Sequence, residues 1–181
     1  MNPDRSAYPV SVLLIVILLF LPVSCNNRQQ NIVQNKMPGP KEMEGVNIYL
    51  VEKDRERILN YIERRNLEMT ESPSGLWYQI KKEGSGDFFR EKSKVVMEFE
   101  CSLLDGTKCY SSKDSGPKTV IIGKSTIEPG LNEGLKLLKP GGEALFIIPP
   151  YLAWGLPGDG KAIPPRAIVV YEIRIVAPSG E

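Results

Sequence analysis

No histidine occurs in the 181 residues of the chain. Histidine is the side chain that most often performs acid–base catalysis near neutral pH, and it is a common ligand of zinc. Cysteine is scarce as well, with three residues and no Cys-x-x-Cys pair. Histidine-based catalysis is therefore excluded, a typical zinc site is not expected, and the sequence predicts neither a metal nor another cofactor.

An excess of charge of either sign is also lacking. Lys and Arg number 23 and Asp and Glu 22, which gives a formal net charge of +1. Proteins that bind nucleic acid usually carry a marked positive excess that neutralises phosphates. The balance gives no electrostatic reason to expect a nucleic acid as partner. The sequence also contains no internal repeat and no Walker, Rossmann or hydrolase motif.

The longest hydrophobic run extends from Val10 to Leu21 and is shorter than the roughly 20 residues that a membrane-spanning helix needs. Arg5 precedes this run and Cys25 follows it closely, which is typical of an export signal. The small residue Ser24 before the cysteine resembles the bacterial lipobox, in which the cysteine is lipidated. We expect a signal peptide over residues 1–24 and a lipid anchor at Cys25 on a membrane facing the periplasm. An uncleaved anchor helix is the alternative.

Residues 25–45 are rich in Asn and Gln and poor in apolar side chains, which is typical of a flexible tether. Within residues 46–72, a charge-rich stretch predicts a helix from Val46 to Asn66. Its apolar residues recur at helical spacing: Ile48, Val51, Ile58 and Ile62. Two surface ion pairs at i,i+3 spacing are expected, Glu52 with Arg55 and Asp54 with Arg57. We expect this helix to dock on the domain that follows, with dimerisation as the alternative.

Residues 73–181 change to the two-residue period of β-strands. The clearest strand has one apolar face, formed by Val95, Met97, Phe99, Cys101 and Leu103. Asp105-Gly106 then predicts a hairpin turn, and a short helix is predicted from Ile127 to Leu138. Further strands are predicted at Leu76–Lys81, Thr119–Ile122, Ala144–Ile148 and Ile168–Val176. The pattern indicates an α+β domain, with an antiparallel sheet wrapped around a short central helix.

Cys101 and Cys109 flank the predicted hairpin turn. In an exported protein they could form a disulfide, provided that their geometry permits it. The alternative is that both are small buried apolar side chains. The sequence does not decide between the two.

Four segments, taken together and in order, resemble the FKBP-type peptidyl-prolyl cis-trans isomerases. They are Leu104-Asp105-Gly106-Thr107 with Ser111-Ser112; Gly123 with Pro129-Gly130-Leu131-Asn132-Glu133-Gly134-Leu135; Pro140-Gly141-Gly142; and Pro149-Pro150-Tyr151-Leu152-Ala153-Trp154-Gly155 with Ile163-Pro164-Pro165. The resemblance covers roughly Pro73 to Pro178. The signal, the N-terminal helix and Gly75-Leu76-Trp77-Tyr78 are also similar to the gliding-motility-associated FKBP lipoproteins of Bacteroidetes.

The resemblance implies a strongly twisted sheet around a short helix, and a pocket that receives the proline ring of a polypeptide. It assigns catalytic roles to Phe99, Tyr110, Trp154 and Tyr171. It assigns substrate contacts to Cys109, Val120, Ile127, Glu128, Leu131 and Ile163. Glu128, at the start of the helix, is expected to contribute mainly its backbone amide. The implied activity is isomerisation of X-Pro bonds in exported polypeptides.

Several of these positions depart from the usual residues of the family. Phe99 and Trp154 stand where tyrosine is typical, Cys109 replaces a phenylalanine, Tyr110 replaces an acidic residue, and Leu131 replaces a tryptophan. The replacements change the pocket rather than the fold, and they leave macrolide binding open. They favour a second hypothesis, a weakly catalytic module that docks on a Pro-containing partner in a surface or motility assembly. A third is a structural lipoprotein with a vestigial pocket.

Overall fold

A seven-stranded antiparallel sheet forms the centre of the structure. The computed structural model describes residues 39–176. The elements in chain order are α1 (Pro40–Arg64), β1 (Thr70–Glu71), β2 (Trp77–Lys82), β3 (Lys94–Leu103), β4 (Lys108–Ser111), α2 (Ser112–Ser115), β5 (Lys118–Ile121), α3 (Pro129–Leu135), β6 (Glu143–Ile148), a 3₁₀ turn (Pro150–Leu152) and β7 (Val169–Ile175). The predicted signal peptide, Cys25 and most of the predicted tether lie outside the described residues.

Strand β3 holds the sheet together because its ten residues pair with three other strands. Strand β7 runs along one edge of it, with Met97 opposite Ile175 and Leu103 opposite Val169. On the other edge, β5 pairs with residues 94–97 and β4 with residues 100–102. The sheet order is β1-β2-β6-β7-β3-β4, with β5 beside β3. The predicted antiparallel sheet is confirmed.

Helix α3 packs on the inner face of the sheet through Leu131 and Leu135, which have no exposed surface. Both belong to a core cluster that includes Phe146 of β6. Gly134 permits the close approach, because a Cβ atom there would lie 2.8 Å from Cζ of Phe146. Full burial of a leucine side chain stabilises a fold by about 1.5–3 kcal/mol. The predicted short central helix is therefore present and is fixed to the sheet by its apolar face.

Helix α1 covers the outer face of the same sheet. Ile58 and Tyr61 of this helix are buried. They form a second cluster with sheet and loop residues: Trp77, Leu145, Ile147, Ile168 and Val170. The helix therefore docks on the domain that follows it, as the sequence predicts.

Helix α1 begins at Pro40 rather than at Val46, so the end of the predicted tether is helical. The backbone N–H of Gly39 donates to Oε2 of Glu42 at 2.8 Å, and proline occupies the first turn. Both features favour a helix start, since proline lacks a donor that would stay unpaired there. No helix among residues 39–176 is long and apolar enough to cross a membrane.

The predicted apolar face of α1 is only half correct. Ile58 is buried, whereas Ile48 and Val51 are 55% and 41% exposed. The reason is that the first turns of the helix make no buried contact, and all residues from 40 to 49 are exposed.

One of the two predicted surface ion pairs is present. Nη1 of Arg57 lies 3.6 Å from Oδ1 of Asp54. Arg55 instead pairs with Glu71 of β1, at 2.8 Å. This contact ties the helix to the edge of the sheet, so the expected Glu52–Arg55 pair does not form.

Asp54 joins α1 to the loop before β7. Its carboxylate is 4% exposed and accepts a hydrogen bond of 2.6 Å from Nη2 of Arg166. The backbone N–H of Arg166 donates to the carbonyl of Gly155 at 3.0 Å. The pair therefore connects the N-terminal helix with the segment that runs from Gly155 to Arg166.

We expect Asp54→Ala to destabilise the fold. The guanidinium of Arg166 is largely buried and would lose the carboxylate that compensates its charge. Breaking such a pair costs about 3–5 kcal/mol when it is fully buried, and the partial exposure of Arg166 reduces this to roughly 2 kcal/mol. Urea unfolding would measure the change. Glu52→Ala, on an exposed face of the same helix, is the control. An equal loss of stability in both variants would contradict the prediction.

Candidate active site

A buried carboxylate lies where three distant parts of the chain meet. Glu128 precedes α3 and is 3% exposed. Its Oε1 accepts a hydrogen bond of 2.9 Å from Nε1 of Trp154, which follows the 3₁₀ turn. The same oxygen accepts one of 2.5 Å from the hydroxyl of Tyr171 on β7. Oε2 has no hydrogen-bond partner among the described residues. Glu128 thus holds Trp154 and Tyr171 in fixed positions.

Tyr171 is kept neutral by its surroundings. Burial raises its pKa far above the ordinary value, and the neighbouring charge of Glu128 raises it further. A tyrosine that keeps its proton acts as a hydrogen-bond donor. The ring centroid of Phe99 lies 6.1 Å from that of Tyr171 with the rings tilted by 42°, which is within the range of favourable aromatic pairs. Phe99 and Tyr171 therefore form one aromatic wall.

Trp154 is the most exposed of these side chains. It is 37% exposed, whereas Tyr171 is 4% exposed. Its indole is nevertheless held in place because its N–H is bonded to Glu128. A large ring that is fixed at its polar end and open to solvent on its remaining surface can contact a ligand with little loss of side-chain entropy.

Asp159 anchors the loop that follows Trp154. Its Oδ1 accepts hydrogen bonds from the backbone N–H groups of Lys161 and Ile163, at 2.9 and 2.8 Å. Its Oδ2 accepts from the hydroxyl of Tyr110 on β4. Gly158 makes this turn possible, because its φ is +72° and a Cβ atom there would lie 2.3 Å from the carbonyl oxygen of Ile163. The loop is therefore bonded to β4.

The Tyr110–Asp159 contact shifts the pKa of both groups. Desolvation alone would raise the pKa of Asp159, but the hydrogen bonds from Tyr110 and from two backbone amides outweigh it and lower that pKa. The same hydrogen bond raises the pKa of Tyr110. The sequence prediction identified Tyr110 but missed Asp159. A lone acidic residue between two glycines was the local signal that could have revealed this turn.

Cys109 lies at a register shift in the β3–β4 pair and is half-buried. Its thiol donates to the carbonyl of Ala162 at 3.5 Å, a second contact between β4 and the loop. Cys101 is buried, and burial raises the pKa of its thiol to about 12. Both cysteines are free thiols in the structure. Cys101 also contacts Tyr171, a neighbour that the sequence prediction missed.

The other predicted contact residues belong to the core beneath this site. Ile163 is 2% exposed and Ile127 is half-buried, and both pack in the cluster that contains Tyr171. Val120 and Leu131 belong to the same cluster and have no exposed surface. Their expected contact with a substrate stays a prediction, whereas the structure places them in the core.

The sequence matches the profile of the family described as FKBP-type peptidyl-prolyl cis-trans isomerase over residues 86–176. The chain belongs to this FKBP family. The matched range contains every one of the candidate pocket residues discussed above.

Curated FKBP relatives share this part of the chain. The protein is 43% identical over 104 residues to a probable FKBP-type peptidyl-prolyl cis-trans isomerase FkpA of Neisseria meningitidis serogroup B, covering 57% of this chain and 38% of that protein. It is 32% identical over 105 residues to FkpA of Escherichia coli strain K12, covering 58% and 38%. The chain therefore spans less than half the length of these relatives.

Solved FKBP structures share the fold. The crystal structure of FkpA from Escherichia coli matches with a TM-score of 0.58 and 25% identity, over 77% of this chain and 73% of that chain. The N-terminal domain of FKBP42 from Arabidopsis thaliana matches with a TM-score of 0.57 and 25% identity, over 61% and 91%. The FKBP-like fold is thus confirmed. The closer similarity to Bacteroidetes lipoproteins stays a prediction.

The largest difference from the sequence-based expectation concerns Glu128. The family resemblance implied a role for its backbone amide, but the structure shows its carboxylate at the centre of the site. Its role depends on Trp154 and Tyr171, which are 26 and 43 residues away along the chain. No local pattern indicates which of these side chains meet.

We expect Glu128→Ala to destabilise the fold, because the buried hydroxyl of Tyr171 would lose its acceptor. An unpaired buried polar group costs about 1–3 kcal/mol. Glu128→Gln keeps an acceptor oxygen and should cost less than half as much. Urea unfolding gives the stability, and the emission of Trp154, in a Trp77→Phe background, reports on the indole. Equal stability of the alanine variant and the parent would contradict this role.

The Tyr110–Asp159 contact should make the stability of the loop depend on pH. Because the pKa of Asp159 is depressed in the fold, its contribution is complete above the ordinary pKa near 3.8 and is lost as the pH falls through the lower folded value. Thermal melting from pH 7 to pH 3 should show the parent above Asp159→Asn at neutral pH and a narrowing gap below about pH 4. A gap that stays constant over this range would contradict the prediction.

Proposed function

We propose that the protein is a peptidyl-prolyl cis-trans isomerase that acts on X-Pro bonds of exported polypeptides. The observation that carries the proposal is the bonding of Trp154 and Tyr171 to buried Glu128, with Phe99 beside Tyr171, in a chain of the FKBP family. Each of the three aromatic residues comes from a different element. Their rings are apolar, and the polar ends of Trp154 and Tyr171 are fixed by their hydrogen bonds to Glu128.

The chemistry fits such a surface. Rotation about an X-Pro bond has a barrier of about 18–20 kcal/mol, because the amide loses its resonance. The twisted amide is less polar than the planar one, so an apolar site favours it over the ground state. Isomerisation requires no bond to be broken and no proton to be removed. Residues that pack against the ring and donors that hold its flanking carbonyls are sufficient.

The individual roles follow from position. Phe99 and Tyr171 would pack against the proline ring, and Trp154 would close the site from the solvent side. The backbone N–H of Glu128 donates to no backbone or side-chain acceptor among the described residues, which leaves it for a substrate carbonyl. The carboxylate of Glu128 would keep Trp154 and Tyr171 in place. Cys109, Ile127 and Ile163 would form the edges of the site, and Val120 and Leu131 its support.

We further propose that the protein is exported and lipid-anchored at Cys25, facing the periplasm. The support is the apolar run that ends shortly before Ser24 and Cys25, together with the polar residues that follow. A membrane-bound isomerase that faces an exported protein at the moment of its folding would act on the slow X-Pro steps.

A binding module without turnover is the second candidate. Cys109 and Tyr110 favour it, since Tyr110 is bonded to Asp159 and a cysteine offers a smaller wall than an aromatic ring. Such a module would use the same surface to hold a Pro-containing partner. The two candidates differ in catalysis and agree in binding.

The test compares the full-length protein with Phe99→Ala in the isomerisation of short X-Pro peptides with several different X residues. Burial of a phenylalanine ring is worth about 1.5–3 kcal/mol, so kcat/KM should fall roughly 10- to 100-fold. Phe88→Ala removes an exposed ring from the segment between β2 and β3 and is the matched control. Catalysis that survives the control and is lost in Phe99→Ala establishes the enzyme. A folded protein that binds these peptides without accelerating isomerisation supports the binding module instead.

A further inference from the structure

A groove of about 1050 Å³ lies beside the candidate active site. One wall is the C-terminal half of α1, and the other is the turn between β3 and β4. Its end is formed by Pro164 and Pro165, which directly follow Ile163 of the candidate site. The groove and the site therefore share one segment of the chain but open on different surfaces.

The apolar residues of this groove lie at its base. Tyr61 and Ile168 are buried, and Leu104 is half-buried and contributes exposed apolar surface. The rim carries four guanidinium groups, those of Arg57, Arg64, Arg65 and Arg166. Two acidic residues of the lining, Glu63 and Asp105, oppose them. Asp105 is partly committed, since its Oδ1 accepts from the backbone N–H of Thr107.

The four arginines are not equivalent. Arg166 and Arg57 face the carboxylate of Asp54, at 2.6 and 3.6 Å. Arg64 and Arg65 have no carboxylate within 4.0 Å among residues 39–176. Two positive charges on the rim are thus without an acidic partner in the described part of the chain.

Arg64 and Arg65 are nevertheless held in place. Nε of Arg64 donates to the carbonyl of Asn60 at 3.1 Å. The guanidinium of Arg65 lies 4.7 Å from the ring centroid of Tyr61, a cation–π contact. Both keep further N–H donors for a ligand, and less side-chain entropy is lost when a carboxylate binds to a group that is already oriented.

We propose that this groove binds an acidic stretch of another polypeptide in an extended conformation. Carboxylates of the stretch would pair with Arg64 and Arg65, whose planar guanidinium groups bind them in a bidentate way. Apolar side chains of the stretch would contact half-buried Leu104, since successive residues of an extended chain point to opposite sides. The groove is concave, with α1 and the β3–β4 turn as its walls, which suits an extended chain better than the flat surface of a lipid headgroup layer.

The segment directly before Gly39 does not supply such a stretch, because residues 26–38 contain neither Asp nor Glu. Binding of an acidic polypeptide in the groove does not require isomerase turnover.

Fluorescence anisotropy with the full-length protein tests the proposal. The probe is a labelled, end-capped peptide of alternating Glu and Val without proline, and matched peptides carry Gln or Lys in place of Glu. We expect binding of the Glu peptide alone, weakening as salt is raised. Arg64→Gln combined with Arg65→Gln should reduce its affinity roughly tenfold or more. Arg64→Lys combined with Arg65→Lys should retain part of it, because the charge remains.

The matched control is Lys41→Gln combined with Lys82→Gln, which removes the same charge from exposed positions outside the groove. This variant should bind like the parent, and so should Phe99→Ala, whose change lies in the isomerase site. Circular dichroism confirms that each variant is folded. The proposal is overturned if the Glu peptide does not bind, or if the control weakens binding as much as the arginine variant. Arg64- and Arg65-dependent binding to anionic vesicles without binding of the peptide would overturn it in favour of a membrane surface.

Discussion

Strand β6 is buried on both faces from Ala144 to Ile148, and most of the architecture follows from this constraint. Ala144, Phe146 and Ile148 face the inner core, while Leu145 and Ile147 belong to the outer cluster. A strand that is apolar on both sides needs a covering layer on each side. Helix α3 supplies one layer and α1 the other. The N-terminal helix is thus part of the domain's core structure rather than an appendage to it.

The candidate site shows how several unusual residues act together. A carboxylate in an apolar pocket is unfavourable unless it is hydrogen-bonded. Glu128 accepts two hydrogen bonds, one from the indole of Trp154 and one from the hydroxyl of Tyr171. On the opposite side of the loop, Tyr110 and Asp159 form a second polar contact. Of the replacements noted in the sequence, Trp154 bonds to Glu128, whereas Tyr110 and Cys109 contact the loop that follows Trp154.

The sequence predicted the elements whose pattern is local. Strand β3 was evident because its inward residues alternate with polar ones, and α3 because its leucines recur at helical spacing before a Pro-Gly-Gly stop. The start of α1 lies six residues before the predicted one, because the residues before Val46 are mostly polar and the helix-start features are confined to Gly39, Pro40 and Glu42. Strand β4 has no periodic pattern of its own and forms through its pairing with β3.

In the site, the family resemblance predicted the aromatic residues. The bonds of Glu128 and Asp159 depend on long-range contacts that no local pattern encodes.

Because α1 begins at Pro40, the residues from Pro40 to Gly45 are helical and not part of a flexible tether. A helix of 25 residues is a rod of roughly 37 Å, of which only the C-terminal half is packed on the sheet. A rigid helix fixes the relative orientation of its two ends, whereas a random coil limits only the distance between its ends. The direction in which α1 begins at Pro40 is therefore fixed relative to the site, since helix, sheet and site belong to one packed structure.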